Sequence, residues 1–233
     1  MTENPESKIK YLILYGLIKS DSTFFDDIEN VDEKIALRKK IIKIEIYTGK
    51  KKIEQNEKEC ISGIKLTYRD LYNGKTEEIV HKGTQNFEDV KEFKINPGEY
   101  LSDFYIRFTN ECEYISQIGF KTSKGRDFFA GTEEGENKVV DINDKQNNII
   151  GFYGRLGTHL DAIGIIYTSQ KEYFFESLFY VLAIRFLIKK KKEFKEKWEK
   201  NYNELEKEYK YLWKTLLLPD PSFACILKYI SPY

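Results

Sequence analysis

Residues 149–167 read IIGFYGRLGTHLDAIGIIY. Apolar and β-branched residues fill both ends, Ile149–Tyr153 and Ala162–Tyr167. Gly151, Gly154 and Gly157 crowd the middle, and Asp161 stands four places after Gly157. Runs of this length and type predict two strands joined by a turn. Glycine supplies the backbone freedom that such a turn demands. The acid is the odd residue in this hairpin. Either it caps the turn through nearby backbone, as Asp after a loop does, or it offers two acceptor oxygens to a group outside the chain.

The same strand grammar extends upstream. Ile42–Tyr47 (IKIEIY), Gly63–Tyr68 (GIKLTY), Phe104–Phe108 (FYIRF) and Ile115–Phe120 (ISQIGF) alternate apolar and polar residues. That is the period of a half-buried strand. Asn73-Gly74, Pro97-Gly98 and Lys124-Gly125 punctuate them as turns. Strands recurring about every ten residues, with no helical period between them, predict an all-β sandwich, barrel or prism.

Composition changes near residue 170. From Lys171 to Leu218 there is neither Pro nor Gly. Phe194, Trp198, Tyr202, Leu205, Tyr209, Leu212 and Leu216 recur every three or four places, the stripe of one long helix with coiled-coil character. Pro219 and Pro221 end it. The division expected is therefore a β domain over 10–169 and a helical extension over 170–233. Within the extension, Tyr173–Ile188 is apolar and is followed by four lysines, Lys189 to Lys192. As a helix this run is about 24 Å long, short of a hydrocarbon core of about 30 Å. It also carries Glu176 and Arg185. The expectation is a packed or membrane-surface helix rather than a span.

Bulk chemistry excludes several classes. The chain of 233 residues has 38 basic and 38 acidic side chains, so no global field recruits nucleic acid. Cys60, Cys112 and Cys225 are odd in number and far apart, which suits neither a disulfide framework nor a zinc site. The opening MTENPESKIKYLILYG lacks the basic start and long apolar run of a secretory leader, and no Asn-x-Ser/Thr acceptor occurs. These features lead us to expect a cytoplasmic protein. No phosphate loop, metal spacing or nucleophile elbow is present. The expectation is a protein that is no enzyme and needs neither metal nor cofactor.

In order and spacing, several segments together resemble jacalin-related lectins. Gly157-Thr158-His159-Leu160-Asp161 resembles that family's Gly-x-x-x-Asp binding loop. KIEIYTG and ISGIKLTY, INPGEYLSDFYIRF, and ISQIGFKTSKG resemble its successive strands. The resemblance spans about residues 10–168. It implies a β-prism of three Greek-key four-stranded sheets, with a long helical tail added. It also implies carbohydrate binding, of mannose or glucose type. Gly157 would shape the loop, Thr158, His159 and Leu160 would supply backbone donors, and Asp161 would accept from sugar hydroxyls. His159 is expected to face solvent, and Arg155 to be a surface charge lining the site. The recognition loop is expected at Thr122–Asp127.

One element departs from the family pattern. The resemblance calls for a glycine-rich stretch near the N-terminus, followed by an aromatic and two acids. Gly16 and the ending Phe25-Asp26-Asp27 are present, but Lys19 and Ser20 stand where the glycine pair belongs. Two functions therefore stay open: a sugar-binding lectin, and a scaffold or protein-interaction module working through its tail. For the tail, 171–218 is expected to mediate self-association or partner docking, with peripheral membrane contact as the other use.

Overall fold

The computed structural model describes residues 8–53, 56–71, 74–84, 89–109, 114–140 and 147–169. The expected helical extension, and with it the boundary at 169/170, lies outside the described residues. Among the described residues, twelve strands and one short helix follow in chain order. They are β1 (Ile9–Gly16), β2 (Thr23–Asp26), α1 (Glu33–Arg38), β3 (Lys39–Ile53), β4 (Asn56–Asp70), β5 (Thr76–Lys82) and β6 (Asp89–Lys94). Then come β7 (Leu101–Phe108), β8 (Ile115–Thr122), β9 (Asp127–Gly131), β10 (Glu136–Val140), β11 (Asn147–Leu156) and β12 (Leu160–Ser169). The expected strands fall within β3, β4, β7, β8, β11 and β12, and Pro97-Gly98 and Lys124-Gly125 lie between strands, while Asn73 of the third expected turn lies outside the described residues.

Pairing resolves these strands into three groups of four. One runs β5-β4-β3-β6, a second β9-β8-β7-β10, and a third β1-β12-β11-β2. Among the described residues, backbone pairing of Ile149 with Leu101 bridges the second and third. Read from β3, each group places its third, second, first and fourth strands side by side, a Greek-key order repeated three times. The third group needs both ends of the β domain, since Ile9 pairs with Thr168 and Gly16 with Ala162.

Alternation explains the core. Ile44 and Ile46 of β3, Ile64 and Leu66 of β4, Phe104 and Ile106 of β7, and Ile163 and Ile165 of β12 enter one shared cluster. Phe104, Phe120 and Phe152 form a triangle of rings with centroids 5.6–5.7 Å apart. The intervening residues of β3 and β4 face outward as a charge lattice. Lys65 sits 3.0 Å from Glu78 and 3.2 Å from Glu45, and Lys43 sits 2.9 Å from Glu45.

One expectation fails: a helix does lie between strands. Asp32 caps α1 by accepting from the Lys34 N–H at 2.9 Å. Ala36 and Leu37 are buried with Ile9, Ile150, Tyr153 and Ile166, so α1 covers the outer face of the third group. Six residues are too few for a 3.6-residue period to register in sequence.

Phe104→Ala removes one corner of the ring triangle. It is expected to cost about 3–5 kcal/mol, read as a lowered urea midpoint with an unchanged slope.

Candidate carbohydrate site at the Gly157–Asp161 loop

The turn between β11 and β12 is short, and backbone contacts from three directions lock it. The Gly157 N–H donates to the His159 carbonyl at 3.0 Å. The Thr84 N–H, just past β5, donates to the Gly157 carbonyl at 3.1 Å. Just past β1, the Leu17 N–H donates to the Asp161 carbonyl at 3.0 Å. Both expected glycines have a steric reason. A Cβ on Gly157 would stand 2.5 Å from Asp161 Oδ2, and one on Gly16, where φ is +119°, would stand 2.2 Å from the Asp161 carbonyl oxygen. Glycine at 157 thus lets the carboxylate fold beneath the loop.

Asp161 is deeply placed, its side chain 2% exposed. Oδ1 forms an ion pair and hydrogen bond with Lys19 Nζ. Oδ2 is buried and has no hydrogen-bond partner among the described residues. The loop that brings Lys19 in is itself tied down. The Ser22 hydroxyl donates to the Lys19 carbonyl at 2.8 Å, and Arg155 Nη1 donates to the Ser22 carbonyl at 3.1 Å. Arg155 therefore holds the 17–22 loop rather than lining the site as a free charge.

The structure corrects the placement of His159. It is 2% exposed, with Nδ1 3.2 Å from Cys60 Sγ and 3.5 Å from Ser62 Oγ. Burial lowers its pKa, Lys51 and Lys19 add to this, and Asp161 opposes it. Burial likewise pushes the Cys60 thiol up to about 12. Both groups are neutral, so this contact anchors the loop on β4 and is no thiolate–imidazolium nucleophile. Of the remaining loop residues, Thr158 is exposed at the tip and Leu160 is fully buried in the shared core. The signal for His159 was its period-two neighbour Asp161, which also points inward, but a bulge between Arg155 and Leu156 disturbs that parity.

The expected recognition loop lies elsewhere. Thr122 pairs with Leu101, which pairs with Ile149 at the start of β11. Gly157 is beyond the far end of β11, roughly 26 Å away at about 3.3 Å per residue. Arg126 is instead engaged by Glu99, with Nε 2.9 Å from Oε1, and Nη2 donates to the Lys94 carbonyl at 2.8 Å. The turn at 122–127 is thereby locked to the opposite end of the molecule.

Phe25-Asp26-Asp27 is structural. Asp27 Oδ2 accepts from the Tyr68 hydroxyl at 2.9 Å and the Phe152 N–H at 2.7 Å, while Oδ1 lies 2.7 Å from His81 Nε2. Phe25 stacks on His81 at 4.0 Å. Burial raises the pKa of Asp26, whose Oδ1 accepts from the Ile28 N–H at 2.8 Å. Among the described residues there is no cluster able to hold a metal ion, and no helix is long and apolar enough to cross a membrane.

A family model for the jacalin-like lectin domain matches residues 22–166. The chain belongs to this family. Solved structures agree on the fold of the jacalin-like domain. A mannose-binding jacalin-related lectin from Ananas comosus is 21% identical with a TM-score of 0.52, covering 70% of this chain and 99% of its own. An artocarpin–mannotriose complex is 23% identical at 0.52, with the same coverage. Calystegia sepium agglutinin is 20% identical at 0.53, covering 72% and 99%. No curated protein matches the chain in sequence.

Because His159 is neutral when folded, it takes a proton more readily in the unfolded chain. Its contribution to stability is full above the ordinary imidazole pKa, about 6.5, and is lost as pH falls below it. Urea midpoints at pH 7.5 and 5.5 should drop more for the wild type than for His159→Gln.

Proposed function

We propose that this protein is a carbohydrate-binding lectin, with the Gly157–Asp161 loop taking mannose- or glucose-type glycans. One observation carries the reading: in a chain of this family, a glycine-shaped loop folds over a carboxylate with one oxygen unpartnered among the described residues. Sugars present adjacent hydroxyls that donate, and a carboxylate offers two oxygens that accept, with charge strengthening both bonds. One matched structure is a lectin described as mannose-binding and another is a complex with mannotriose, which supports the sugar type. Binding, not catalysis, is the use that a single carboxylate serves. A glycosidase places two across a cleft.

Asp161→Asn keeps the shape and removes the charge. It should abolish binding to mannosides and glucosides on a glycan array while moving the thermal midpoint by only a few degrees. Retained binding would assign the sugar contact elsewhere.

The Lys19 contact favours a second reading, a prism that acts as a scaffold through its tail. A wild-type array that stays blank, beside a defined partner in a pull-down, selects it. Under either reading we infer self-association or partner docking through residues 171–218, in a cytoplasmic setting. The apolar stripe from Phe194 to Leu216 supports this, since an isolated helix of that character needs packing. Linked sites would raise avidity by about 10²–10⁴ where geometry permits. Light scattering of the full chain should then give a mass above one protomer, reduced to one by Leu205→Glu. Flotation with anionic vesicles reads the membrane-surface use of 173–192.

A further inference from the structure

The 17–22 loop delivers one charged side chain to Asp161, and does so from a fixed position. Leu17 is bonded to the Asp161 backbone, the Ser22 hydroxyl to the Lys19 carbonyl, and Arg155 to the Ser22 carbonyl. Lys19 is thus aimed by Leu17, Ser22 and Arg155 rather than wandering on the surface. Its side chain is 30% exposed, whereas that of Asp161 is 2% exposed. The ammonium therefore stands between the carboxylate and solvent.

A lysine ammonium has three donors and no acceptor, and an ionised carboxylate only accepts. Lys19 consequently competes for the same oxygen that a sugar hydroxyl would use. An ammonium–carboxylate bond is charged on both sides, a hydroxyl–carboxylate bond on one. Asp161 Oδ2, without a partner among the described residues, shows that the lysine fills only half of the acceptor capacity.

We propose that Lys19 is the affinity-determining residue of this site: its ammonium is a built-in competitor that closes the carboxylate, and a neutral saccharide diol binds by displacing it. This rests on reading Asp161 as the sugar contact. It makes the wild-type site weak toward neutral hexoses. It also makes the 17–22 loop the element that sets the threshold.

Titration calorimetry of the full chain with methyl α-mannopyranoside and methyl α-glucopyranoside tests it. Lys19→Gly and Lys19→Met should each bind about 10- to 100-fold more tightly than wild type. Lys19→Met retains bulk and removes charge, so a gain confined to Lys19→Gly would overturn the competitor role in favour of simple crowding. Lys19→Gln, which keeps a neutral donor, should gain less than Lys19→Met and serves in its place if that variant loses its cooperative thermal transition. Adding Asp161→Asn to the tighter variant must erase the gain, and a surviving gain would overturn the proposal. Wild-type binding that needs Asp161 but ignores Lys19 substitutions would sink this inference alone. Absence of binding in every variant, each with a cooperative transition, would sink the carbohydrate reading together with it.

Discussion

The buried carboxylate of Asp27 is the joint on which the arrangement turns. A charge taken out of water is costly unless its hydrogen-bonding sites are filled. Here Tyr68 comes from β4, His81 from β5 and a backbone N–H from Phe152 of β11, and together they surround it. These partners belong to two of the three sheets, so satisfying one acid ties the sheets together. The same acid follows directly on β2, a strand of only four residues that a ladder alone would hold poorly. Fixing Asp27 fixes β2 at the edge of β11, and with it the 17–22 loop that precedes β2. Lys19 reaches Asp161 as a consequence.

Two aspartates of similar depth then differ in kind. Asp27 is 5% exposed and Asp161 is 3% exposed. Asp27 has three partners spread over both oxygens. Asp161 has Lys19 on one oxygen and, among the described residues, nothing on the other. An unsatisfied buried acceptor costs roughly 1–3 kcal/mol. Such a cost persists in a fold where the group has another use. Contrast with Asp27 is what singles out Asp161, since residue type and burial are common to both.

The outer faces of the sheets also divide their roles. Charge pairs across β3, β4, β5 and β6 keep one face hydrated. A short capped helix closes another, which would otherwise expose Ile166 and Tyr153. The end that carries the Gly157 turn is left to loops, with that turn held by contacts from Leu17 just past β1, from β4 and from Thr84 just past β5. Rigid strands carrying a loop locked by neighbours are the usual way to hold recognition groups in place. At 20–23% identity the solved structures speak to this scaffold alone.

Sequence by itself determined six of the strands, β3, β4, β7, β8, β11 and β12, and the family, because period-two alternation is local and several segments occurred in order. It also marked Gly16, Gly157 and Asp161, whose spacing is written in the chain. Tertiary structure alone decided what those residues meet. Lys19 and Asp161 are 142 positions apart, and Cys60 and His159 are 99 apart. Their contacts arise from strand register and from a bulge that shifts the loop's parity, neither of which a local pattern encodes. The 122–127 turn looked like a neighbour of the site for the same reason, and register sent it to the opposite end. α1 escaped notice because six residues do not complete two turns. Alternation is a property of neighbours in the chain, whereas a buried charge is settled by neighbours in space.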